Sequence, residues 1–151
     1  MPEADAKLLQ LVQKWSEGKA TLKDVRGYSD DELYAVARTG YAFFNQGKYP
    51  EARTIFQGLF AINPRDPYFA RAMAVLEMAS GNSDGALSAY DVALKLEPGD
   101  PLTLVGRAEI LIATGQKNAA VADLKKAAAA PEGDRRLILK AKALLEALRA
   151  R

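Results

Sequence analysis

Glycines at 47, 81 and 115 stand 34 residues apart, and three further columns keep the same step. Ala52, Ala86 and Ala120 follow in register, Phe56, Tyr90 and Leu124 place a large apolar residue, and Gly40, Ala74 and Ala108 a small one. Asn63-Pro64 and Glu97-Pro98 are again 34 apart, and the third copy ends one residue early at Pro131. A unit this short cannot bury its apolar face alone, so three copies in step constrain the chain to units stacked on their neighbours.

The period and pattern resemble the tetratricopeptide repeat, whose unit is two antiparallel helices joined by a short turn. Each column then has a mechanical reason. The Gly40 and Ala52 columns are expected where the two helices of a unit cross, because only small side chains let backbones approach that closely. The Gly47 column is expected to end the first helix in a left-handed conformation. The Phe56 column fills the space between one repeat and the next. Pro64 and Pro98 stop the second helix, and Asp66-Pro67 and Asp100-Pro101 restart the chain with an N-cap Asp followed by Pro. The fold class expected is all-α: a tetratricopeptide-repeat superhelix of three helix-turn-helix repeats, with an N-terminal helix and a C-terminal capping helix.

In a single domain, residues 1–28 are an N-terminal helical arm and 29–134 the repeats, divided 33–66, 67–100 and 101–134. Residues 135–151 are the C-terminal capping helix. Ser29, three residues before Glu32, opens the first repeat with a capping box. Leu137, Ala141, Leu144, Leu145 and Leu148 make one apolar face that suits covering the last repeat. Leu8, Leu11, Val12 and Trp15 form a helical stripe in the arm. It either packs on the repeats or serves as a dimerisation arm, which makes a homodimer through the N-terminal helix one expectation.

Composition removes most chemistries. The chain of 151 residues has no Cys and no His, which excludes disulfides, thiol nucleophiles, the Ser-His-Asp triad and the commonest metal ligands. No cofactor and no metal is expected, and no enzyme. Asp30-Asp31-Glu32 is better explained by a helix N-terminal dipole than by a cation, and Asp84, Asp91 and Asp123 are scattered. The net charge is +2, too balanced for a strong nucleic-acid binder. The tail from Asp134 to Arg151, with six Lys or Arg against two acids, reads as a solvated outer face. No run is apolar and long enough to span a membrane, so direct membrane insertion is not expected. The acidic start Met1-Pro2-Glu3-Ala4-Asp5 is unlike a secretory signal.

An array of helix pairs presents the first helix of each unit on its inner face. Counting from Leu33, Pro67 and Pro101, the positions that face inward in tetratricopeptide repeats include Tyr34, Ala37, Tyr41 and Phe44 in the first copy. In the second they include Tyr68, Arg71, Val75 and Met78, and in the third Leu102, Val105, Glu109 and Ile112. The clamp of Lys, Asn and Arg by which some such domains hold chaperone-tail carboxylates is missing, apart from Arg71. An apolar groove suits an extended peptide that offers aliphatic side chains to pockets, each burial gaining roughly 1.5–3 kcal/mol. Periodicity alone does not separate a groove-facing residue from one packed on the adjacent repeat.

Several strings are more specific. The lead Thr21-Leu22-Lys23-Asp24-Val25-Arg26-Gly27-Tyr28-Ser29-Asp30-Asp31-Glu32-Leu33 precedes the repeats. Gly47-Lys48-Tyr49-Pro50-Glu51-Ala52 and Phe56-Gln57-Gly58-Leu59 follow, then Ala108-Glu109-Ile110-Leu111-Ile112-Ala113-Thr114-Gly115. Together they resemble the class II chaperones of type III secretion, the SycD/LcrH-like family, over roughly Thr21 to Gly115. That resemblance implies a cytoplasmic, bacterial, non-ATPase chaperone that keeps hydrophobic translocator proteins soluble before secretion. It implies that aromatic residues of the first repeat grip a short extended client segment. Tyr41 and Phe44 match two of that family's aromatics, and the third falls on Ala37, which puts client identity in question. The alternative is a generic tetratricopeptide-repeat adaptor or scaffold that binds a partner peptide.

Overall fold

Several helices start where a side chain can satisfy the orphan backbone amides of the first turn. The computed structural model describes residues 21–150, together with Gln10, Lys14 and Glu17. The dimerisation stripe Leu8, Leu11, Val12 and Trp15 lies outside the described residues. Among those described there is no strand. The helices are α1 (Leu22–Arg26), α2 (Asp30–Asn45), α3 (Tyr49–Ile62), α4 (Pro67–Ala79), α5 (Ser83–Leu96), α6 (Pro101–Ala113), α7 (Lys117–Ala128) and α8 (Arg135–Arg149). The chain divides into two compact units, Met1–Phe69 and Ala70–Arg151.

In the first unit, Thr21 opens α1 with a capping box closed by Asp24, and Ser29 opens α2 with one closed by Glu32. The Lys23 ammonium lies 2.6 Å from the Asp30 carboxylate, tying α1 to the start of α2. The buried residues of α2 are Leu33, Ala37 and Gly40, and those of α3 are Ala52, Phe56 and Leu59, each set spaced by three or four so that one stripe faces inward. Gly40 is where the hairpin closes most tightly: a Cβ placed there would meet Cε2 of Phe56 at 2.7 Å. Burying Phe56 and Leu59 contributes about 1.5–3 kcal/mol each.

The second unit repeats the logic with smaller residues. Ala74, Ala86, Tyr90 and Ile110 form one buried cluster, so Tyr90 packs from its own repeat onto the next. Leu104, Val105, Ala108, Leu111, Ala120, Leu124 and Ala127 form a second, closed by Ala141 and Leu148 of α8, with Leu144 and Leu145 partly buried against it. The helix α8 thus covers the apolar face left by the last hairpin. The turns inside the three hairpins carry Gly47, Gly81 and Gly115 at φ 76°, 79° and 78°, a left-handed conformation that disfavours any side chain. Asp100 caps α6, accepting from the Thr103 amide, and α5 ends at Leu96, just before Pro98.

Polar locks join the helices of the second unit. Arg107 donates from Nε and Nη2 to the two oxygens of Asp123, both at 2.7 Å, and from Nη1 to Asp91 at 2.9 Å. Asp123 is nearly fully buried, with its side chain 5% exposed. Its hydrogen bonds to the guanidinium, ahead of those from Asp91, push the Arg107 pKa further up. Asp91 and Asp123, scattered in sequence, are therefore the two acceptors of one arginine.

Candidate peptide-binding surface

The aromatic residues of the first unit assemble around the start of α4. Asp66 precedes that helix, and its Oδ1 accepts from the Tyr68 amide at 3.0 Å, as an N-cap aspartate should. Its Oδ2 accepts from the Tyr34 hydroxyl at 2.6 Å. The Tyr34 ring stands edge-on to that of Tyr68, with centroids 5.5 Å apart and planes at 85°. It also meets Phe69 at 5.9 Å. Tyr41 lies against Phe56 at 5.2 Å and against Tyr68 at 6.1 Å. Such tilted and edge-on pairs each add about 0.5–1.5 kcal/mol beyond area burial.

These rings are neither sealed in the core nor loose in solvent. Phe56 and Phe69 are buried, Tyr41 and Tyr68 are half-buried, and Tyr34 is 37% exposed. Burial, then the neighbouring phenol of Tyr41 to which its hydroxyl hydrogen-bonds, raises the Tyr68 pKa well above the ordinary tyrosine value. Phe44, one turn beyond Tyr41, is half-buried and packs on Tyr49 at 5.4 Å. Ala37 is buried and offers no surface of its own.

In the second unit the remaining candidates separate into three kinds. Val75 and Leu102 are 38% and 49% exposed, and Met78 and Ile112 are half-buried. Val105 is buried in the core cluster of α6 to α8. Arg71 and Glu109 already have partners: Arg71 donates to Asp100 at 3.3 Å and lies 3.5 Å from Glu97, while Glu109 pairs with Lys140 of α8 at 2.7 Å. Arg71 thus ties α4 to the cap of α6 instead of standing ready as a carboxylate clamp.

The acidic residues singled out in the sequence are engaged in local structure. Asp30 is paired with Lys23 and Glu32 closes the α2 capping box, while Asp84 lies in the first turn of α5. Among the described residues there is no group of three or more carboxylates close enough to hold an ion, and no helix is long and apolar enough to cross a membrane. What the surface does offer is half-exposed aromatic and aliphatic area with hydroxyls at its edge.

The residues that tie the surface together were only half visible in the sequence. Asp66 and Asp100 are marked as N-caps by the Asp-Pro pairs, but their second acceptances, from Tyr34 and Arg71, run back to the preceding repeat's first helix over 32 and 29 residues. Arg107 carries no local signal, since its partners lie 16 residues away on either side.

Three helical hairpins of this length, with small residues at the crossings and glycine at each turn, define a tetratricopeptide-repeat protein. No family model matches the chain. Among curated proteins, the chaperone SicA of Salmonella typhimurium is 32% identical over 104 residues, which are 68% of this chain and 62% of SicA. The chain thus matches less than two thirds of that relative's length. Among solved structures, the type III secretion translocator chaperone SycD of Yersinia enterocolitica superposes with a TM-score of 0.78 at 24% identity, over 85% of this chain and 98% of SycD. PcrH of Pseudomonas aeruginosa, in complex with the chaperone binding region of PopD, gives 0.74 at 26% identity, over 82% and 96%. In fold and sequence the chain resembles the translocator chaperones of type III secretion.

Proposed function

We propose that this protein is a chaperone of type III secretion that holds an extended apolar segment of a hydrophobic translocator protein and keeps that protein soluble before secretion. The observation that carries the reading is the half-exposed aromatic face of the first unit. Tyr34, Tyr41 and Tyr68 present ring area there, over a floor of Phe56 and Phe69. The likeness to SicA, and to PcrH holding a PopD segment, supports it. Within the second unit, taken by itself, Val75, Met78, Leu102 and Ile112 offer exposed or half-buried apolar area. Ala37 and Val105 act from beneath, as packing. The protein works in the bacterial cytoplasm, without nucleotide, metal or cofactor and without catalysis. Residues 1–28 form the arm, 29–134 the client-binding repeats and 135–151 the cap.

Rings already packed on one another lose little freedom when a peptide settles on them, so more of the burial energy appears as affinity. Two or three aliphatic side chains at roughly 1.5–3 kcal/mol each, less the cost of ordering the peptide, give an affinity on the order of micromolar.

Co-expression with a translocator from the same host tests the reading. The wild-type chain should bring that protein from the insoluble to the soluble fraction as a complex. Phe44→Ala should keep its helical content and weaken the complex by about 1–3 kcal/mol. A translocator that stays insoluble beside the wild-type chain would leave the domain as an adaptor for some other peptide.

A further inference from the structure

The Asp66 carboxylate serves two tyrosines through different atoms. One oxygen accepts the backbone amide of Tyr68 at 3.0 Å and the other accepts the hydroxyl of Tyr34 at 2.6 Å. The bond to Tyr34 spans 32 residues, from α2 of the first repeat to the residue that opens α4. The Tyr34 ring, 37% exposed, packs on Tyr68 and Phe69, and side chains at exposed helix positions change rotamer on the picosecond-to-nanosecond scale where their far end is not held. Here Tyr34 is anchored at its far end by a charge-assisted bond, about twice as strong as a neutral one. Its ring is fixed edge-on to Tyr68, at 5.5 Å and 85°.

We infer that Asp66 is a positioning residue for client binding. It holds the Tyr34 ring in place before the peptide arrives, so that Tyr34 acts as a preset wall of the aromatic face. The inference rests on the chaperone reading above and adds to it a residue that touches no client. An immobilised side chain that is already immobile costs nothing to order on binding. The contribution of Asp66 therefore appears as affinity, passed through Tyr34, and disappears when either end of the hydrogen bond is removed.

Tyr34→Phe is the clean variant, because it deletes the hydroxyl while keeping the ring and leaving Asp66 free to cap α4. The full chain, wild-type or variant, is titrated against a fluorescein-labelled synthetic peptide of the PopD chaperone binding region. Tyr34→Phe is expected to weaken binding about 3- to 10-fold, the range that ordering one side chain spans, with unchanged helical content and a melting temperature lowered only by the one lost hydrogen bond. Asp66→Asn, which can cap through its single oxygen and donate from its amide nitrogen to the Tyr34 hydroxyl, keeps a neutral link to Tyr34 and should lose less affinity than Tyr34→Phe. Asp66→Ala should add no further loss of affinity in the Tyr34→Phe background. Ring order of Tyr34 by aromatic carbon relaxation in the peptide-free chain should fall in Asp66→Ala.

A chain that binds the peptide and is weakened by Phe44→Ala, yet is indifferent to Tyr34→Phe, overturns the role of Asp66 alone. Unchanged Tyr34 ring order in Asp66→Ala overturns it too. Failure of the wild-type chain both to bind the peptide and to solubilise a translocator of its own host overturns the chaperone reading and this inference together.

Discussion

Gly40 faces Phe56 across the first hairpin so closely that a methyl carbon on Gly40 would lie 2.7 Å from Cε2 and 3.1 Å from Cζ of the ring. Phe56 is buried and also packs against the Tyr41 ring at 5.2 Å, which limits how far it can give way. Gly40→Ala should therefore destabilise the protein even though alanine is the better helix former by about 1 kcal/mol. Overpacking costs about 1–3 kcal/mol, and the net loss is expected toward the lower end of that range. A shifted midpoint in urea unfolding checks it, and Phe56→Leu in the same background should recover part of the loss.

Arg107 is the next sensitive point. Arg107→Met leaves the Asp123 carboxylate buried without its bidentate partner, a change that costs about 3–5 kcal/mol when a buried pair is broken from one side. Arg107→Lys should rescue little, because an ammonium cannot bridge both oxygens of Asp123 and reach Asp91 as the planar fork does. Replacing both members, with Arg107→Met and Asp123→Leu together, should be far milder than Arg107→Met alone. Denaturant titrations of the three variants measure the difference.

Alkaline titration should single out Tyr68. Burial and the Tyr41 phenol hold its pKa above the ordinary value of 10.0. Because the folded value is the higher one, its contribution to stability is complete below about pH 10, and it is lost as the pH climbs toward the folded value. In a phenolate absorbance titration of the native chain, one tyrosine should ionise late. Tyr68→Phe should remove that late step and flatten the fall in stability at high pH.

Leu148 tests the cap. It is 6% exposed and closes the cluster built on Leu104, Leu111 and Leu124. Leu148→Asp would bury a carboxylate against these side chains, so α8 should detach, lowering the melting temperature and uncovering apolar surface. Increased dye binding and concentration-dependent association, followed by light scattering, are the expected readouts.

What the sequence made legible follows from periodicity. The glycine column appears at the positive-φ turns, the small-residue columns are buried, and the apolar stripe of the last helix turns inward. Each is a local demand on side-chain size or backbone conformation, repeated until it stands out. The binding surface was less legible, because tetratricopeptide helices bury two stripes and a residue's place in the period does not say which stripe faces a ligand. Ala37 and Val105 share the spacing of Tyr41 and Leu102, yet only the latter pair keeps exposed area. Ion pairs were less legible still: Arg71, an isolated cation on an apolar face, is spoken for by Asp100 and Glu97, and nothing near it in the chain announces this.

Asp100 accepts at once from the Thr103 hydroxyl at 2.6 Å, from the Thr103 amide and from Arg71. The same carboxylate that starts one hairpin is thus the hook for the hairpin before it. Fraying of the first turn of α6 therefore loosens Arg71 of the preceding hairpin in the same event. Hydrogen exchange at the start of α6 should then rise and fall together with exchange along α4.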